Sequence, residues 1–148
     1  MNPKQLDKVA LVARAEQNRA AQKHQRGQEQ LSASQQRLGQ LEQFRAEYES
    51  RLESLAGSGI DARQLADYRR FLASLNDAIS RQGEEVSRSE STLRDSRDEL
   101  QERSRRRDSV DQLVERTRAA LLKEGERREQ RRNDDSSLEQ HQRSGGRD

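Results

Sequence analysis

Steps of three and four residues alternate without a break from Leu6 through Ala10, Ala13, Gln17, Ala20, His24, Gly27, Leu31, Ser34, Leu38, Leu41, Arg45, Tyr48 and Leu52 to Leu55. A second run with the same step joins Leu65, Tyr68, Leu72, Leu75, Ile79, Gln82, Val86, Ser89, Leu93, Ser96, Leu100, Arg103, Arg107, Val110, Val114, Thr117 and Leu121. A sustained mean step of 3.5 residues keeps one seam of a helix turned toward a partner and implies left-handed supercoiling. Each run therefore predicts one long helix. The segment between them is too short for a parallel return, so the expected fold is all-α, two long helices in an antiparallel coiled-coil hairpin.

Composition narrows the choice. Only 28% of the 148 residues are hydrophobic and 38% are charged, too little apolar material for a round core. A disordered chain of this composition would not hold its leucines in phase. The net charge of +2 is no nucleic-acid signature. Cysteine is absent, which removes disulfides, thiolate metal sites and a cysteine nucleophile. No apolar run nears the roughly 20 residues of a membrane span, and no signal-peptide pattern opens the chain. A soluble cytoplasmic protein is expected.

Helix ends leave backbone groups unpaired, and the residues that satisfy them mark the boundaries. Asn2-Pro3, with Gln5 at capping-box spacing and Met1 and Leu6 at staple spacing, opens helix 1, about residues 3–56. Gly57 is expected in the left-handed conformation that ends a helix, within a turn at 57–61. Asp61 caps helix 2, about 62–124, with Gln64 at box spacing and Ile60 and Leu65 at staple spacing. The hairpin thus takes residues 1–125. Residues 126–148 have Leu138 as their one large apolar side chain, and are expected to be frayed helix or disordered.

The seam varies along its length. Gln17, His24, Gly27 and Ser34 on helix 1 lie broadly opposite Ser89, Ser96, Arg103 and Arg107 on helix 2, and this stretch is expected to be marginally stable and bendable. All four aromatics, Phe44, Tyr48, Tyr68 and Phe71, flank the turn. Leu41, Phe44 and Tyr48 form one helical stripe, and Phe71, Leu75 and Ala78 another. Together they make more apolar surface than two helices need, which either docks a partner or folds over the seam. Val9, Val12, Leu113 and Leu122 give the open end a similar surplus. Two apolar ends on a polar chain suggest an adaptor, with a homodimer that buries both patches as the competing explanation. The arginines at 103, 105–107, 127–128 and 131–132 are interleaved with acids, which favours an ion-paired, solvated face over phosphate binding. His24 and His141 lack ligand spacing. No phosphate loop, nucleophile or cofactor motif is present, so neither an enzyme nor a small-molecule ligand is expected.

From about Lys4 to Arg132 the chain resembles the flagellar export protein family FliJ. The likeness rests on its length, the single hairpin, Phe44-x-x-x-Tyr48, the Gly59-Ile60 turn, and Tyr68-x-x-Phe71-Leu72-x-x-Leu75-x-x-Ala78-Ile79. The resemblance implies a non-enzymatic, cofactor-free stalk, monomeric or weakly dimeric, at the cytoplasmic face of the inner membrane. It would join the hexameric export ATPase ring to the large membrane protein of the export gate and escort export chaperones. It assigns Leu41, Phe44, Tyr48, Phe71, Leu75 and Ala78 to the gate contact. The ring contact would fall on Leu6, Val9, Val12, Ala13, Leu113, Val114, Leu121 and Leu122. A stalk protein of a virulence injectisome would read much the same way. An arginine-rich coiled coil bound to nucleic acid and a structural homodimeric rod are competing readings of the same residues.

Overall fold

The computed structural model describes residues 2–146, which hold two helices, α1 (Pro3–Gly57) and α2 (Ala62–Gly145). The chain divides into two compact units. One joins the stretch up to Gln17 with the stretch from Arg103 onward, and the other is Asn18–Glu102. In both, α1 and α2 run antiparallel. Asp7 meets Arg118 and Arg14 meets Asp111 in the first unit. Lys23 meets Glu99 and Arg45 meets Asn76 in the second. This is the all-α coiled-coil hairpin that the heptad spacing predicts.

The N-terminal cap forms as the sequence suggests. Asn2 Oδ1 accepts from the backbone of Lys4 at 2.7 Å and of Gln5 at 3.2 Å, while Gln5 Oε1 accepts from the Asn2 N–H at 3.2 Å. The Met1–Leu6 staple lies outside the described residues. At the start of α2, Asp61 Oδ1 accepts from the Arg63 N–H at 3.3 Å. Gln64 does not close the box among the described residues.

The turn departs from expectation by two residues. Gly57 is still helical, and the left-handed residue is Gly59, with φ 86°. Ser58 explains the shift. Its N–H and its hydroxyl both bond to the Leu55 carbonyl at 3.2 Å, and the hydroxyl also reaches the Ser54 carbonyl at 3.3 Å. The Ser54 carbonyl, one that a left-handed Gly57 would have satisfied, is already paired. Gly59→Ala should therefore lower stability by about 1–2 kcal/mol, the cost of a Cβ in the left-handed region. Gly57→Ala, in helical geometry with nothing within 4 Å of its new Cβ, should be neutral or stabilising by up to about 1 kcal/mol. Thermal unfolding followed by circular dichroism separates the two.

Every seam position is buried or half-buried except Leu55 and Leu121. Leu55 sits in the last turn of α1, where no further helix covers it. Leu121 lies beyond the reach of α1, which has 55 residues against 84 in α2. Instead of ending near residue 124, α2 continues to Gly145 with every residue from Arg118 to Gly146 exposed. Arg128 bonds Glu124 one turn back at 3.3 Å. Such pairs add a few tenths of a kcal/mol to a solvated helix.

The thin part of the seam is not loosely packed. In the unit Asn18–Glu102 its small residues are the most enclosed: Ser96 is 2% exposed, Ala20 3% and Ser34 5%. The ideal Cβ position of Gly27 is 3.9 Å from the Cα of Leu93, so the backbones approach closely. Polar groups there are paired. Gln82 Nε2 donates to the carbonyl and hydroxyl oxygens of Ser34 at 3.1 and 3.3 Å. Ser96 Oγ donates to the Leu93 carbonyl at 2.8 Å and lies 3.3 Å from His24 Nδ1. With its one proton given to Leu93, Ser96 Oγ accepts from a protonated Nδ1. The expected weak stretch is a closely packed polar one.

Candidate partner-binding surfaces

In the unit Asn18–Glu102 the heptad register places Phe44 and Phe71 one position before the seam residues Arg45 and Leu72. On an antiparallel pair, such positions line one flank from both sides. The rings meet there. Tyr48 and Phe71 have centroids 4.4 Å apart, Phe44 and Phe71 6.1 Å, Phe44 and Tyr48 5.1 Å, and Tyr48 and Tyr68 5.8 Å. The Arg51 guanidinium stands 5.8 Å from the Tyr48 centroid. One aromatic cluster is thus built from both helices, with Phe44 44% and Phe71 39% exposed.

The six residues that the resemblance assigns to the gate contact separate by depth. Phe44 and Phe71 are exposed, Tyr48 is half-buried at the centre of the cluster with three ring neighbours, and Leu41 and Ala78 are half-buried. Leu75 is 6% exposed and belongs to the core. Tyr68, outside that set, completes the cluster through Tyr48.

In the other unit the residues implied for the ring contact separate likewise. Leu6 and Ala13 are buried in the seam and Val114 is half-buried, whereas Val9, Val12, Leu113, Leu121 and Leu122 are exposed. Val9 and Leu113 occupy the same pre-seam positions as Phe44 and Phe71 do in their unit. The opposite flank carries ion pairs, Asp7–Arg118 at 3.3 Å and Arg14–Asp111 at 3.8 Å. Leu11, exposed beside them, is a further apolar side chain that the resemblance does not single out. It falls outside the seam and its apolar flank, among the off-seam apolar residues that the sequence places at this end.

Three arginines of the cluster, Arg103, Arg106 and Arg107, are tied up within the chain. Arg103 Nη1 donates to Glu16 Oε2 at 2.9 Å, and Arg106 lies 3.7 Å from the same carboxylate. Arg107 donates to Gln17 Oε1 and pairs with Asp111 at 3.6 Å, while Gln17 Nε2 donates to Ser104 at 3.0 Å. These contacts direct the guanidinium groups toward the chain's own oxygens, which favours the ion-paired reading over phosphate binding. No group of three or more His, Cys, Asp or Glu among the described residues is placed to hold a metal ion. His24 is engaged in the seam, and His141 lies on the exposed end of α2.

A protein-family model described as "Flagellar FliJ protein" matches residues 2–146, nearly the whole chain. No curated protein and no solved structure matches it.

Proposed function

The chain belongs to the flagellar FliJ protein family and is a component of the flagellar export apparatus; from that premise we propose that it acts as a non-enzymatic, stalk-like coupler between the export ATPase ring and the export gate. The observation that carries this reading is that each compact unit exposes large apolar side chains from both helices. Surplus apolar area on a chain otherwise clothed in charge marks places where other proteins dock. Val9, Val12, Leu113, Leu121 and Leu122 would contact the ring. Phe44 and Phe71, flanked by Leu41, Tyr48 and Ala78, would contact the gate protein. Escort of export chaperones belongs to the same proposal, as does a peripheral position at the cytoplasmic face of the inner membrane. No helix among the described residues is long and apolar enough to cross a membrane, so attachment would run through protein contacts. The flagellar family match favours this system over an injectisome.

Coupling needs no chemistry from this chain. A stalk that binds successive ring subunits unequally shifts their conformational populations by the difference in binding free energy. The two surfaces should then be separable. Val12→Asp/Leu122→Asp alters side chains 53% and 69% exposed, so stability should change by no more than about 0.5 kcal/mol per site. Tagged pull-down from the native bacterium at moderate salt, read by mass spectrometry, should show at least tenfold less ATPase and unchanged gate protein. Phe44→Ser/Phe71→Ser should do the reverse. Retention of both partners by both variants would sink the assignment.

A further inference from the structure

We infer that the part-buried pair Ser34–Gln82 locks the register of α1 on α2 in the unit Asn18–Glu102 and so holds together the two halves of the aromatic surface. The need for a lock comes from the seam itself. Ala20, Gly27 and Ser34 repeat every seventh residue on α1, all small and all buried. Leu93 packs onto the middle one, with its Cδ1 3.4 Å from the ideal Cβ position of Gly27. After a slip of one heptad in one direction it would meet Ala20, whose single Cβ fits at ordinary contact distance. Apolar packing along this stretch therefore discriminates poorly between registers.

The polar groups do discriminate. Gln82 Nε2 reaches both oxygens of Ser34 in the observed register. A slip carries it toward Leu41 in one direction and Gly27 in the other, where a backbone carbonyl is still present but no side chain replaces the Ser34 hydroxyl as a second acceptor. His24 opposes one of those slips as well, because it would exchange the Ser96 hydroxyl for the Arg103 guanidinium, which has no acceptor. Losing the partner of a buried polar group costs more than its bond contributes to stability, so such pairs select a register even where they add little to stability. No buried side-chain nitrogen or oxygen among the described residues is left without a partner in the observed register.

The aromatic surface depends on this choice. Phe44 and Tyr48 come from α1, Tyr68 and Phe71 from α2, and their contacts of 4.4–6.1 Å exist in one alignment. Seven residues of slip displace one helix along the other by about 10 Å, which separates Phe71 from Tyr48. Ser34 and Gln82 are thus positioning residues for a surface that they do not touch. The importance of that surface to a partner rests on the function proposed above, but the register itself is measurable without any partner.

The chain contains no cysteine, so spin labels on Gln28→Cys and Ser80→Cys, both exposed positions, report one inter-helix distance by pulsed electron resonance. The parent should give a single narrow distribution. Ser34→Ala/Gln82→Leu should keep its helix content yet show a second population displaced by a heptad, on the order of 10 Å along the axis. Ser34→Ala/Gln82→Met, closer in shape, should do the same and serves if the leucine variant associates. A single parental distance in a folded, monomeric variant would overturn the inference and leave the turn and the aromatic cluster as the determinants of register.

Discussion

Leu75→Ser is expected to destabilise the hairpin by about 3 kcal/mol, while Phe71→Ser costs only about 1 kcal/mol and abolishes partner binding. The side chains are four residues apart on α2, and the family resemblance assigns both to one contact. Their depths differ. Leu75 is 6% exposed, and its removal leaves a cavity lined by seam residues with a hydroxyl facing it. Phe71 is 39% exposed and gives up its ring contacts with Tyr48 and Phe44. Urea unfolding should show the Leu75→Ser midpoint far below that of Phe71→Ser. Pull-down of the gate protein at a temperature where both are folded should show the larger loss for Phe71→Ser. Equal stability with equal binding loss would mean that Leu75 reaches the partner directly.

The same contrast shows what a periodic sequence can and cannot reveal. Spacing locates the seam at nearly every position, because a helix turns by a fixed angle per residue and its buried stripe must recur. Asn2 and Gln5 are legible because capping is local. Gly57 misleads because its role depends on Ser58 reaching back to Leu55 and Ser54, a competition between two ways of satisfying the same carbonyls. The end of α2 escapes a criterion based on burial. The helix past Thr117 has none, and among the described residues one exposed i,i+4 pair, Glu124–Arg128, adds a few tenths of a kcal/mol to it. Phe44 and Phe71 stand out in the sequence by lying one residue off the seam. Their grouping with Leu75 comes from helical adjacency, which cannot tell a side chain on the seam from one beside it. In the arginine cluster, Arg107 pairs with the interleaved Asp111, whereas Arg103 and Arg106 pair with Glu16 of α1.

Gly27 should give effects of opposite sign with two apolar replacements, and this tests whether the polar stretch is slack or tight. If the helices were loosely apposed there, filling the seam would stabilise in proportion to size, and Gly27→Leu would exceed Gly27→Ala. The structure predicts otherwise. An alanine Cβ would lie 3.4 Å from Leu93 Cδ1 and 3.6 Å from Ser96 Oγ, ordinary contact against a side-chain end that can yield. Gly27→Ala should therefore stabilise by up to about 1 kcal/mol through helix propensity. The Leu93 Cα at 3.9 Å leaves no room beyond that first carbon. A leucine there must push the backbones apart and strain the His24–Ser96 and Ser34–Gln82 bonds. Overpacking of this kind costs about 1–3 kcal/mol. Gly39→Ala, with nothing within 4 Å of its new Cβ, is the control for propensity alone and should gain about 1 kcal/mol. If Gly27→Leu proves the more stable of the two Gly27 variants in urea, the close approach of α1 to α2 at Leu93 is wrong.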